Sequence, residues 1–204
     1  MHNIVKNILA WADKEPITPH EAIGVFMEEN VRSLILQTEQ RGIKLRSIND
    51  IVNPPPDIAP RLSELTDILI SATDSLEYHP GMINAIVRSL GNKAIVKKHN
   101  LFSFLYERYL VVPPSIKIHN PQARGIDNSL AEGLARHFSW ENCDVIQALI
   151  KNESLGESRL LLLLAFPKFI DREEVRLLLS SLTNHPTFAF ESKKLLKRKI
   201  RKSK

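Results

Sequence analysis

Apolar positions recur with helical spacing over most of the chain, and between residues 118 and 200 they recur as a larger repeat. Asn120, Asn152 and Asn184 stand 32 residues apart, each two places after an apolar residue: Ile118, Ile150 and Leu182. Ten, fourteen and eighteen places after the Asn come Leu130, Leu134 and Phe138 in one copy, and Leu162, Phe166 and Ile170 in the next. Steps of four put such residues on one face of a helix. A second apolar set, Val145, Ile146 and Ile150, then Leu177, Leu178 and Leu182, predicts a second helix in each unit. Glu141 and Glu173 fall in the first turns of those second helices, where carboxylates suit the positive end of the helix dipole. One such hairpin leaves apolar surface bare, and copies stacked side by side bury it.

Upstream, Ile4, Ile8 and Trp11 mark a first helix over 3–13, with Trp11 as a packing residue. Thr18-Pro19-His20-Glu21 has the chemistry of a helix start, with Ile23, Met27, Val31 and Leu34 facing inward and Gly42 as the stop. Asn53-Pro54-Pro55-Pro56 and Pro60 predict a stiff extended piece, since successive prolines cannot continue a helix. It suits a rigid turn within one domain or a short boundary. Leu62, Leu65, Leu69, Ala72 and Leu76 predict the next helix, followed by helices over Met82–His99 and Leu101–Val112, the last closed by Pro113-Pro114. Leu76-Glu77-Tyr78-His79-Pro80 echoes Leu182-Thr183-Asn184-His185-Pro186, which starts the array near residue 61.

The phrases VIQALIKNESLGESRLLLLLAF and VRLLLSSLTNHPTFAFESKKLLKRKI resemble HEAT-like repeats, the two-helix units of many bacterial scaffold proteins. The period is shorter than most HEAT units, and Arg124, Arg159 and Lys193 do not fall in one register. The resemblance implies an all-α protein, a right-handed α-solenoid of HEAT-like helical hairpins. Its expected order is an N-terminal helical cap (1–52), a Pro-rich linker (53–60), the repeats (61–200) and a basic tail (201–204).

Composition narrows the setting. Cys143 is the single cysteine, which excludes a disulfide framework and suits a reducing, cytoplasmic compartment. The longest apolar run near the repeats, Leu160–Phe166, is seven residues, against about 20 for a membrane span. No secretory signal is expected at the N-terminus. The net charge of +5 is misleading. Lys193, Lys194, Lys197, Arg198, Lys199, Arg201, Lys202 and Lys204 hold eight positive charges with no acid among them. Residues 1–192 carry the other 20 basic residues against all 23 acidic ones, a net of −3. The body is mildly acidic, which argues against a broad nucleic-acid surface on it.

Catalytic signatures are missing. None of the seven histidines has metal-ligand spacing, no phosphate loop is present, and His79 and His185 are expected to face solvent. Cys143 is expected as a small buried residue, and the aromatics Phe102, Phe104, Tyr106 and Tyr109 as core. No metal and no cofactor is expected. The expected function is a non-catalytic protein-protein interaction scaffold, with Glu141, Asp144, Glu173, Arg176 and Ser180 lining the inner face of the array. Small HEAT-like proteins of this size include immunity proteins that mask toxins, and an acidic body suits a basic toxin. The alternative is nucleic-acid binding through the basic tail. In its sharpest form this is a HEAT-like alkylpurine DNA glycosylase, with Trp140 stacking on a base and Asp144 stabilising charge on the sugar. Trp140 would otherwise pack between helices, with Asp144 facing water.

Overall fold

The computed structural model describes residues 2–12, 14, 30–76, 78–116, 123 and 125–200, without the side chains of 30 and 198–200. The expected helix start at Thr18–Glu21, the inward Ile23 and Met27, and Ile118, Asn120, Arg124 and 201–204 lie outside the described residues.

Among the described residues the fold is all-α, with no strand. The α-helices are α1 (Asn3–Ala12), α2 (Asn30–Gln40), α3 (Asn49–Val52), α4 (Thr66–Thr73), α5 (Pro80–Leu90), α6 (Lys93–Val96), α7 (Phe102–Ile116), α8 (Ile126–Arg136), α9 (Cys143–Lys151), α10 (Glu173–Ser181) and α11 (Ala189–Ile200). Between them run 3-10 segments at Ala59–Leu65, Trp140–Asn142, Glu153–Ala165, Pro167–Phe169 and Leu182–Asn184.

One apolar core runs from Ile4 to Leu195. The N-terminal elements share in it. α1 packs on α5 and α7, and the buried Asn7 side chain donates to the carbonyls of Ser75 and Tyr78 at 3.1 and 2.7 Å. The chain turns away from the end of α2 at Gly42, whose positive φ of 68° suits a residue without a Cβ. Beyond the prolines, Arg61 reaches back to the carbonyls of Gly42 and Arg41 at 2.8 and 3.0 Å.

α8 makes its most extensive contact with Glu153–Ala165, the segment that the 32-residue spacing expects to match it. Leu130, Leu134 and Phe138 are buried, as are Leu162 and Phe166. The two segments differ in backbone. Glu153–Ala165 is a 3-10 segment interrupted at Gly156, which has φ 71° and ψ −153°, a region essentially reserved for glycine.

Several expectations need correction. Leu76 lies past the end of α4 and is 53% exposed. The single helix expected over Met82–His99 breaks at Gly91, because Asn92 starts a new helix by accepting from the Ala94 N–H at 3.0 Å. Pro113 and Pro114 sit inside the last turn of α7, which runs to Ile116. Leu177 points outward although its counterpart Val145 is half-buried. The repeated Asn residues do not share one role: Asn152 caps the segment after it through the Ser154 N–H at 3.1 Å, while Asn184 ends a 3-10 turn and the neighbouring His185 does the capping.

The two His-Pro steps are equivalent, and neither imidazole simply faces solvent. His79 Nδ1 accepts from the Gly81 N–H at 3.0 Å, and His185 Nδ1 from the Thr187 N–H at 3.2 Å. Each satisfies a donor that a helix start would otherwise leave bare. His79 is buried, with Trp11 against its edge at 4.7 Å.

Candidate functional site

The five residues expected to line a binding face, Glu141, Asp144, Glu173, Arg176 and Ser180, are all exposed. Asp144 lies in the first turn of α9, Glu173 opens α10, and Glu141 sits in the 3-10 turn before α9. α10 buries Val175, Leu178 and Leu179, which leaves Glu173, Arg176, Leu177 and Ser180 outside. Leu177 is four residues after Glu173 and three before Ser180, so the three share a helix face. It is 64% exposed. A large apolar side chain is thus held in water amid polar groups. Phe190 on α11 is exposed further, at 75%.

Trp140 and Asp144 do not belong to one α-helix, because α9 begins at Cys143 and Trp140 lies in the 3-10 turn before it. The indole rests on Phe169 at 5.5 Å, and the Arg172 guanidinium lies 4.0 Å from its ring centroid. Arg172 was not legible as a partner, since the repeat offsets do not place it opposite Trp140. Cys143 is buried and accepts from Gln147 at 3.3 Å. Of the aromatics on α7, Phe102 and Tyr109 are core, while Phe104 and Tyr106 are half-buried.

The basic segment begins as part of α11. Leu195 is buried and Leu196 packs against the core. Lys193, Lys194 and Lys197 are exposed, and Lys194 pairs with Glu191 at 2.9 Å. The backbone of Arg198 and Lys199 continues the helix. Arg201, Lys202 and Lys204 lie outside the described residues.

Two cavities stand out. An apolar one of about 290 Å³ lies between Glu153–Ala165 and α11, lined by residues including Leu160, Leu164 and Leu195. A polar cleft of about 410 Å³ forms where α6 and α8 end, and is lined by Lys97, Lys98, His99, Arg136, His137 and Lys168 among others. The sequence reading missed this cleft, because its cations come from three separate stretches. His137 builds its wall: Nδ1 accepts from the Leu101 N–H at 3.3 Å, which places the proton on Nε2 to donate to the Leu90 carbonyl at 2.9 Å. Burial holds the His137 pKa below the ordinary histidine value.

The unfolded chain takes up a proton on this residue at higher pH than the folded one, so stability falls as pH drops below about 6.5. Melting temperature followed from about pH 7.5 to about pH 5.5 is expected to fall, with a shallower decline in a His137→Gln variant. Parallel profiles would remove His137 as a cause.

Among the described residues no group of three or more His, Cys, Asp or Glu is placed to hold a metal ion. No described helix is long and apolar enough to cross a membrane. Among the described residues the chain is all-α. No protein-family description, curated protein or solved structure matches it.

Proposed function

We propose that the protein is a non-catalytic interaction module of HEAT-like helical hairpins that docks another protein through the outward surface of α9 and α10. The packing of α8 on Glu153–Ala165 supports side-by-side stacking of first helices, as a solenoid requires. The observation that carries the docking reading is Leu177, held 64% exposed beside Glu173, Arg176 and Ser180. An apolar anchor within a polar rim is the usual anatomy of a protein interface. The acidic balance of residues 1–192 favours a basic partner, which fits an immunity-type protein masking a basic toxin in the cytoplasm. The glycosylase reading draws no support from this geometry, since the indole face that a base would need carries Arg172.

Leu177→Arg tests the reading. Loss of an interface anchor costs about 2 kcal/mol or more, so affinity for the partner is expected to weaken about 30-fold or more. An exposed substitution shifts stability by only about 0.5 kcal/mol, so the melting temperature stays near that of the parent. Unchanged partner affinity would place the interface elsewhere.

A further inference from the structure

We infer that the cleft between the ends of α6 and α8 binds a compact ligand bearing two linked phosphoryl groups. Lys97 and Lys98 follow α6, Arg136 ends α8, and Lys168 comes from the Pro167–Phe169 turn. No carboxylate lines the cleft. Lys97, Lys98 and Lys168 form no ion pair with a described residue. Two acids stand nearby: Glu132 pairs with Arg136 at 2.5 Å, and Glu64 feels the charge of Lys98 but bonds to Arg61 at 2.9 Å. Lys97, Lys98 and Lys168 therefore line one cleft without an ion-pair partner among the described residues, in a body whose balance is otherwise negative.

Cations at helix C-termini are favourable in themselves, and that accounts for Arg136. It accounts poorly for Lys97 and Lys98, because α6 has only four residues and a correspondingly small dipole. It does not account for Lys168, whose ammonium is held by the Phe138 carbonyl at 3.3 Å. Convergent like charges repel, and an anion seated among them relieves the repulsion. The 15-residue helix α7 adds to the field, because its Asn100 cap lines the cleft and caps through the Phe102 N–H at 3.1 Å. His99 and His137 contribute walls: each turns a ring nitrogen to a backbone carbonyl, of Ser63 and Leu90.

Size and charge select the ligand class. The volume of about 410 Å³ suits a small molecule. Three to four cations match a diphosphate better than a single phosphate, and the guanidinium offers paired donors to phosphoryl oxygens. A nucleoside diphosphate and free pyrophosphate share this chemistry.

Titration calorimetry of the full chain with pyrophosphate tests the assignment. One saturable site is expected. A Lys97→Ala, Lys168→Ala double variant is expected to bind about 10- to 100-fold more weakly, as the loss of charged hydrogen bonds predicts. Both residues are exposed, so the variant keeps its unliganded melting temperature. A Lys193→Ala, Lys197→Ala variant, altered on α11, binds as the parent does. Tighter binding of a nucleoside diphosphate than of pyrophosphate assigns the ligand to nucleotides; equal binding assigns it to the diphosphate itself. Absence of saturable binding, or equal affinity in the cleft variant, overturns the inference. So does binding of a single-stranded oligonucleotide without binding of pyrophosphate.

Discussion

Replacing Asp74 with alanine is expected to destabilise the protein by about 3 kcal/mol, because it strands a buried cation. Arg108 is buried on α7 and its guanidinium pairs with Asp74 just past the end of α4. Its other partners are weak substitutes: the Phe104 carbonyl at 3.2 Å and the Phe104 ring, 3.5 Å from the guanidinium carbon. Arg108 Nε and Asp74 Oδ1 already lack hydrogen-bond partners among the described residues. Asp74 retains 34% side-chain exposure, so water reaches the pair and the loss falls at the lower end of the range for buried ion pairs. In thermal unfolding this is a drop of about 6–12 °C for a chain of this size. The double variant Arg108→Met, Asp74→Ala is expected to recover much of the loss, since an apolar side chain of similar length no longer needs a counter-charge. A double variant as unstable as the single one would show that packing, and not the buried charge, dominates.

Arg159→Ala is expected to cost about 4 kcal/mol, from two orphaned carbonyls and the space left behind. Arg159 is 6% exposed and faces no carboxylate among its bonded partners. Its Nε donates to the Gly156 carbonyl and its Nη1 to the Ile150 carbonyl, both at 2.7 Å. Ile150 lies in the last turn of α9, where the helix dipole is negative and favours a cation. The guanidinium also lies 5.4 Å from the ring of Phe188, buried just before α11. One side chain therefore joins the end of α9, the Gly156 interruption and the entry to α11. Urea unfolding is the measurement. Arg159→Lys is expected to recover only part of the loss, because a point ammonium cannot serve two carbonyls set in a fork. Full recovery by lysine would mean that charge alone matters.

These two sites show what the sequence could and could not disclose. Apolar periodicity is a local signal, and it located α1, α8, α9, α10 and the buried faces of Leu130, Leu134, Ile146 and Leu178. It also placed Glu141, Asp144, Glu173, Arg176 and Ser180 on the surface, because the helix faces beside them are so clearly apolar. The His-Pro echo marked two equivalent helix starts, although the imidazoles cap through Nδ1 and do not merely face water. Arg159 looked like a residue out of register. Its role depends on the left-handed φ of Gly156 three residues earlier, which no helical count anticipates. Arg108 and Asp74 are 34 residues apart and meet only through the packing of the fold. The cleft was hidden for the same reason, since Lys97, Arg136 and Lys168 are scattered along the chain. Leu177 was grouped by its offset with the apolar set of the second helix, and its exposure is what supports the proposed docking face on α10.

We propose that this chain works by binding another protein. Affinity capture of the full chain from its native cells, with and without nuclease, followed by mass spectrometry, tests it most directly. One protein in equal amount with the bait, retained after nuclease and lost with Leu177→Arg, is the expected result. Recovery of nucleic acid alone, or of no protein at all, would contradict it.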